Sequence, residues 1–156
     1  MKLTLITLAH RPPAWASEAC DDLTKRFPRE WAFNVIELKP DSRAGGRSTE
    51  QILSAERDRI LAALPKGARI VALDERGVDH TSSALSKKLG NWHDAGDALC
   101  LIIGSADGLH PDIKAMACEQ WRLSSLTLPH ALAKVLTIEA LYRAWSMLTG
   151  HPYHRD

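Results

Sequence analysis

The chain has 156 residues, of which 45% are hydrophobic and 25% charged, and its formal net charge is +1. This length suits a single domain, residues 1–156, with a proper hydrophobic core. The near-neutral charge excludes a global basic field, so a polynucleotide partner would have to be bound by a local patch.

The cysteines and the two ends of the chain bear on its compartment. Its cysteines are odd in number and show no CxxC spacing, which predicts a reduced, cytoplasmic protein. The apolar start is short and alternates with threonine, so it favours a β-strand over a signal peptide. No segment is long enough to span a membrane.

His151 and His154 could suggest a metal site, but no other ligands stand at a usual spacing. We therefore expect no bound metal.

Hydrophobic periodicity and turn residues predict five strands alternating with five helices. In chain order they are a strand over 2–8, a helix over 12–26, a strand over 33–38, a helix over 48–64, a strand over 69–73, a helix over 81–95, a strand over 98–103, a helix over 111–120, a strand over 122–124 and a helix over 129–149. Ser48 with Gln51 matches a capping box, and Thr81 can cap the third helix. Such alternation predicts an α/β fold with a mostly parallel sheet and helices on both faces.

The polar connection after the second strand, Lys39 to Arg47, carries three cations beside Gly45-Gly46. Such a segment is typical of a solvated loop, but it also suits a flexible arm that grips phosphate. The sequence leaves both interpretations open.

The last predicted helix, His130 to Thr149, is apolar on most of its circumference. A helix that covers one core shows a single apolar stripe. We therefore expect this helix to be buried on two sides, by its own sheet and by a second partner. Gly150 and Pro152 end it.

The six residues after this helix, HPYHRD, are too short for a further element. The default interpretation of such a tail is a frayed terminus. A second interpretation is an active-site flap, because an imidazole, a phenol and a fixed cation stand together beside a proline.

In parallel α/β sheets, ligands gather at the carboxyl ends of the strands. Three loops meet that condition: the one after Leu73, the segment 104–108 and the segment 124–129. The spacing of the glycine loop, GSADG, is neither the dinucleotide fingerprint nor a P-loop. No nucleophile elbow, HExxH helix or clustered carboxylate pair is present, so nucleophilic and metal hydrolases are poorly supported.

The motifs IIGSADG, SLTLPH, EALYRAWS and the ending HPYHRD, on a chain of this length, form a recognisable set. The chain closely resembles the ribosomal large-subunit pseudouridine N3-methyltransferases (the methyltransferase H family) of the SPOUT, or α/β-knot, superfamily. The resemblance runs through the whole chain. It implies a deep C-terminal trefoil knot and a homodimer formed through the last helix, with Trp145 or its neighbours at or near the contact.

The resemblance also implies S-adenosylmethionine as cofactor, bent among the three strand-end loops. The contacts carried over from the family fall on Leu73, Gly104, Leu123, Ser124, Ser125, Leu126, Thr127 and Leu128. One departure bears on the shape of the glycine loop: the family usually has a second glycine where Ser105 stands, and often glutamate at Asp107. Serine is less free in φ than glycine.

The implied reaction methylates N3 of a pseudouridine in 23S rRNA, on the assembled ribosome. The resemblance assigns the tail to the acceptor site, with Arg155 anchoring phosphate or carbonyl groups, His154 as base or orienting group, and Tyr153 stacking or hydrogen bonding. We expect the tail to reach a site shared with the partner subunit. Glu139 and Arg143 stand at i, i+4 and predict a structural ion pair, or one that orients the tail.

Two alternatives remain open at this stage. One is a knot-fold ribose 2′-O-methyltransferase, and the other is a ribosome- or nucleotide-binding module without catalysis. His130, at the start of the last helix, is either a helix-entry hydrogen-bonding group or a further candidate base.

Overall fold

The structure is a computed structural model that describes residues 1–155. Its strands and helices are, in chain order, β1 (Leu3–Leu8), α1 (Ala14–Lys25), β2 (Phe33–Leu38), α2 (Thr49–Ala63), β3 (Arg69–Asp79), α3 (Ser82–Asp94), β4 (Leu99–Ile103), α4 (Pro111–Met116), β5 (Glu119–Arg122) and α5 (His130–Thr149). The strands form one sheet in the order β2-β1-β4-β3-β5, and all four pairings are parallel. The predicted α/β architecture is confirmed, while the trefoil knot stays an expectation from the resemblance.

The two faces of the sheet are covered by different helices because successive strand side chains point to opposite faces. Leu5 and Leu101 lie on one face, in a core shared with α1, α3 and α5. Ile6 and Ile102 lie on the other face, in a core shared with α2 and α4. The central strand β4 is buried along its whole length, as its continuous apolar sequence predicts.

The predicted boundaries around the fifth strand are wrong. The helix expected over 111–120 ends at Met116, and the strand lies at 119–122 rather than 122–124. The cause is pairing with β3: the backbone N–H of Cys118 donates to the Ile70 carbonyl at 2.8 Å. The Trp121 indole is buried and stacks on Trp92 with the ring centroids 5.9 Å apart. These contacts between distant parts of the chain outweigh the local preference for helix.

Strand β3 also runs past its predicted end at Leu73. An irregularity in its pairing sets both Leu73 and Val78 opposite Trp121, so the 74–77 turn bulges out of the ladder. Gly77 lies in this bulge, where a Cβ would stand 2.5 Å from the Trp121 backbone carbon. Only glycine fits this approach of β3 to β5.

Helix α5 packs on the sheet together with α1 and α3. Trp145 is buried in its own chain against Phe27 and Tyr142, with ring centroids 6.1 and 5.2 Å away. The expectation that Trp145 or its neighbours lie at or near a subunit contact stays a prediction. The exposed apolar side chains of α5 are Leu132 and Leu136, and Leu148 near its end. Within residues 1–155, no helix is long and apolar enough to cross a membrane.

Candidate active site

The strand ends of β3, β4 and β5 form the first part of the site. Leu73 pairs with Ile103 of β4 on one side and with Trp121 of β5 on the other, so these three residues lie at the same level of the sheet. Gly104 directly follows β4, and the run 123–128 directly follows β5. The sheet therefore brings the expected cofactor-contacting positions, Leu73, Gly104 and the run 123–128, to one edge.

The run 123–128 has the character of a binding segment. None of its backbone groups is bonded to another backbone group within residues 1–155, and the N–H of Leu126 donates to its neighbour Ser124 Oγ at 2.9 Å. The Leu126 side chain is 76% exposed. Free backbone donors and acceptors beside aliphatic side chains suit the edges and faces of a heteroaromatic ring.

The glycine loop, residues 104–108, is a tight turn. A Cβ on Gly104 would stand 2.6 Å from the carbonyl carbon of Gly108, and Gly108 N–H donates to the Ser105 carbonyl at 2.9 Å. Ser105, at the position where the family usually has glycine, keeps a negative φ. Its hydroxyl donates to the buried carboxylate of Glu56 at 2.6 Å. The loop therefore accommodates serine and gains an anchor to α2.

A cavity of about 670 Å³ lies on the other side of this loop, at the carboxyl ends of β1, β2 and β4. Its walls come from four separated parts of the sequence: 7–13, 37–43, 105–107 and 130–134, with two residues of α2. The sequence analysis missed the cavity. Two local features of the sequence belong to it: the polar run after β1 and the cations of the 39–47 connection. Neither shows that these segments lie next to α5, because only the fold brings them together.

The cavity is charged. Lys134 is only 5% exposed and forms an ion pair with Glu37. Arg43 binds Asp107 at 2.9 Å and so joins the 39–47 connection to the glycine loop. Arg11 stands at the rim, exposed and without an ion pair among residues 1–155. Within that same range, no group of three His, Cys, Asp or Glu side chains is arranged to hold a metal.

His130 lies where the two parts of the site meet. It directly follows the Leu128-Pro129 end of the loop and also lines the cavity. The Gly104 carbonyl lies beside the ring, and Nε2 is buried and has no partner among the described residues. Burial lowers the pKa of His130, and nearby Lys134 lowers it further, against the raising effect of the Gly104 carbonyl. The neutral ring is therefore favoured at neutral pH.

The tail folds back on α5. The Tyr153 hydroxyl donates to Glu139 at 3.1 Å, and the Arg143 guanidinium lies 5.2 Å from the centre of the Tyr153 ring. Arg143 also forms the expected ion pair with Glu139, at 2.5 Å. Burial raises the pKa of Tyr153, and the Glu139 carboxylate raises it further. The Glu139–Arg143 pair therefore both spans one helical turn and holds the tail.

Within one chain, the tail residues and the strand-end loops stay apart. His154 Nδ1 lies 3.2 Å from Ser146 Oγ, and Arg155 is exposed beyond it. From His130 to Ser146 the helix rises about 24 Å. The structure thus gathers the expected cofactor positions but does not bring Tyr153, His154 and Arg155 to them.

Comparisons with known proteins agree with this arrangement. The sequence model of the family described as "Predicted SPOUT methyltransferase" matches residues 1–154. Similar proteins named "Ribosomal RNA large subunit methyltransferase H" occur in Burkholderia cenocepacia (strain HI2424), Burkholderia vietnamiensis (strain G4 / LMG 22486) and Burkholderia multivorans (strain ATCC 17616 / 249). Each is 50% identical to this chain over 155 residues, which cover 99% of both sequences. The chain belongs to the SPOUT methyltransferase family.

Proposed function

We propose that this protein methylates N3 of a pseudouridine in 23S rRNA on the assembled ribosome in the cytoplasm, with S-adenosylmethionine as cofactor. The observation that carries the proposal is the meeting of Leu73, Gly104 and the run 123–128 at one sheet edge. The names of the relatives, which refer to large-subunit ribosomal RNA, support the substrate class. The choice of N3 rests on the resemblance, carried above all by HPYHRD.

The residues present fit the cofactor. Unpaired backbone groups of the run 123–128 can bind the edge of adenine, and Leu73 and Leu126 can cover its faces. S-adenosylmethionine supplies an electrophilic methyl group on a positively charged sulfur. Because the acceptor imide must lose its proton, the protein has to supply a base and hold the acceptor in line.

A homodimer would complete the site. Trp15, at the start of α1, is 51% exposed, and Leu132 and Leu136 are 44% and 37% exposed on α5. Both helices begin at the cavity, since Pro12, Pro13 and His130 all line it. Contact between two copies over this apolar region buries the side of α5 that its own chain leaves open, and it allows the partner's tail to approach the strand-end loops.

In this arrangement, Arg155 anchors phosphate or ring carbonyl groups, since a guanidinium is a fixed cation with several donors. His154 orients the acceptor, and Tyr153 stacks or donates a hydrogen bond. The Glu139–Arg143 pair holds the tail in position through the Tyr153 hydroxyl and ring.

The direct test uses ribosomes that lack the modification, labelled S-adenosylmethionine and mapping of the methylated atom. We expect label on N3 of one pseudouridine of the large subunit. Label on a ribose 2′-oxygen would contradict the proposal and favour the knot-fold ribose 2′-O-methyltransferase. Absence of methyl transfer would favour a binding module without catalysis.

Gly104→Val should weaken S-adenosylmethionine binding by at least tenfold, or about 1.4 kcal/mol. The new side chain collides with Gly108 and forces the glycine loop out of shape. Calorimetry measures the affinity, and a melting curve checks the fold. Ala62→Val is the control, because Ala62 is exposed on α2 and lies away from the glycine loop. Equal affinity in a folded Gly104→Val protein would contradict the placement of the cofactor.

The double variant Leu132→Glu, Leu136→Glu should be a folded monomer at micromolar concentration, because two charges then stand in the apolar contact. Light scattering gives the mass. The control is Leu61→Glu, since this leucine is equally exposed (45%) but lies on α2, on the opposite face of the sheet. A double variant that remains dimeric would exclude this side of α5 as the interface.

Deletion of residues 153–156 should reduce methyl transfer at least about 100-fold, because the acceptor loses its anchoring and orienting groups. Cofactor affinity should stay close to that of the parent. A deletion protein with parental turnover would restore the frayed-terminus interpretation.

A heterodimer tests whether the tail acts on the partner. One chain carries Gly104→Val and the other lacks the tail, with different affinity tags on the two chains. If the tail acts across the dimer, one of two symmetric sites is intact and about half of the parental rate returns. If it acts within its own chain, neither site is intact and the heterodimer is as inactive as either parent variant.

A further inference from the structure

The 39–47 connection borders the cavity and carries three cations. We propose that Lys39 of this connection and Arg11, in the loop after β1, bind backbone phosphates of the substrate RNA, and that Glu56 is the positioning residue that ties this phosphate site to the glycine loop. The inference rests on the proposed function and deepens it by naming where the RNA backbone is held.

The two cations lie on neighbouring segments at one end of the sheet. Both are exposed and line the cavity, and neither forms an ion pair among residues 1–155. Arg11 follows β1 and Lys39 follows β2, and because these strands pair in parallel, both segments leave the same edge of the sheet. The exposed carboxylate of the lining, Glu37, pairs with the buried Lys134 and not with either cation. A guanidinium and an ammonium that no carboxylate neutralises can each bind a phosphate oxygen.

The other charges of this region place their carboxylates inward and their cations outward. The Asp41 side chain is only 7% exposed and pairs with Arg47 and Arg59, whose side chains are 41% and 40% exposed. Asp107 is partly buried and pairs with the exposed Arg43. Positive charge therefore dominates the surface beside the cavity, although the whole chain is nearly neutral. A phosphate backbone can be bound by such a local patch without a global basic field.

The backbone that carries Lys39 is fixed by α2. The Arg59 guanidinium donates to the Lys39 carbonyl and to the Asp41 carboxylate, both at 2.8 Å. The N–H of Asp41 donates to the Glu56 carboxylate at 3.2 Å. A cation on a backbone held in this way loses less conformational freedom on binding than a cation on a free loop. The connection is therefore preorganised for an anion.

Glu56 joins this backbone to the glycine loop. It is 3% exposed, and its second carboxylate oxygen accepts from the Ser105 hydroxyl at 2.6 Å. Because a buried carboxylate is costly without hydrogen bonds, both contacts are required to satisfy it. A phosphate bound at Lys39 would therefore stand at a fixed position relative to Gly104, on the proposed cofactor side of the loop. Fixed placement of this kind is what a methyl transfer in line requires.

The first test measures binding and needs no turnover. The full-length protein is co-sedimented with ribosomes that lack the modification, over a range of salt concentrations. The double variant Arg11→Gln, Lys39→Gln should bind at least about tenfold more weakly at physiological salt, and the slope of log affinity against log salt should fall by about 1 for each cation removed. S-adenosylmethionine affinity and the melting curve should stay near those of the parent.

The matched control is the double variant Arg29→Gln, Lys66→Gln. It removes the same charge from two exposed cations that precede β2 and β3, at the opposite edge of the sheet, and neither cation has an ion pair within residues 1–155. The control should bind ribosomes as the parent does. Equal losses in the two double variants, or parental binding by the first, would overturn the proposal.

The same measurement with protein-free 23S rRNA identifies the anion. If the cations bind RNA phosphates, the first double variant should again be weaker than its control and have the smaller salt slope. A loss that appears with ribosomes but not with protein-free RNA would assign the cations to an acidic protein surface and would contradict the proposal.

The second test is a mutant cycle on Glu56. In a Glu56→Leu protein, the loss caused by replacing Arg11 and Lys39 should shrink from about tenfold to less than about threefold, because the site is no longer held in place. Glu56→Gln should keep the full tenfold loss, since its amide can accept from the Asp41 N–H and donate to the Ser105 hydroxyl. Losses that simply add in the Glu56→Leu protein would exclude the positioning role.

Ser105→Ala provides the same cycle if Glu56→Leu does not fold. It removes the hydroxyl that bonds Glu56 and keeps a residue with an ordinary φ at this position. A contribution of Glu56 to stability alone would lower the melting temperature and leave the salt slope unchanged.

The inference and the proposed function fail in different measurements. If the parent transfers methyl while the Arg11→Gln, Lys39→Gln variant binds ribosomes and protein-free RNA as its control does, only this inference fails. If the parent transfers no methyl, the proposed function fails instead.

Discussion

The register of the parallel ladder through β1, β4 and β3 is the constraint on which the rest of the structure depends. Leu3, Leu99 and Arg69 are aligned across the three strands, so their carboxyl ends reach the same edge of the sheet. The buried central strand β4 supports this alignment, because a slip by one residue would exchange the side chains that fill the two cores. The glycine loop after β4 therefore lies between the run 123–128 and the cavity.

Helix α5 separates the two parts of the proposed site and is the geometric reason for proposing two subunits. Its first residue contacts the glycine loop, and its last turns hold the tail, about 24 Å further along the axis. A rigid helix cannot bring its own two ends together. Under the proposed function, groups at both ends of α5 act on one substrate, which requires two copies of the helix arranged so that opposite ends meet.

Local signals identified most of the fold. The continuous apolar run 99–103 predicted the central strand, and the capping box of Ser48 and Gln51 forms as expected, with bonds of 2.9 and 3.1 Å. Thr81 caps α3 through the N–H of Ala84 at 3.1 Å. The error at 117–122 arose because β5 is specified by distant partners, β3 and Trp92, which no local pattern shows. The cavity escaped prediction for the same reason, while the cofactor positions were carried over from a resemblance and then found together.

The stack of Trp92 on Trp121 has an optical consequence. The two indoles are buried and lie nearly parallel, with an interplanar angle of 3°. Trp121 stands two residues before the run 123–128. Glu119 accepts a hydrogen bond from the Trp121 indole nitrogen at 2.7 Å and fixes its orientation. Coupled chromophores held this rigidly give a near-ultraviolet circular dichroism signal that depends on their mutual angle. The protein therefore carries an intrinsic spectroscopic reporter of the conformation of this run.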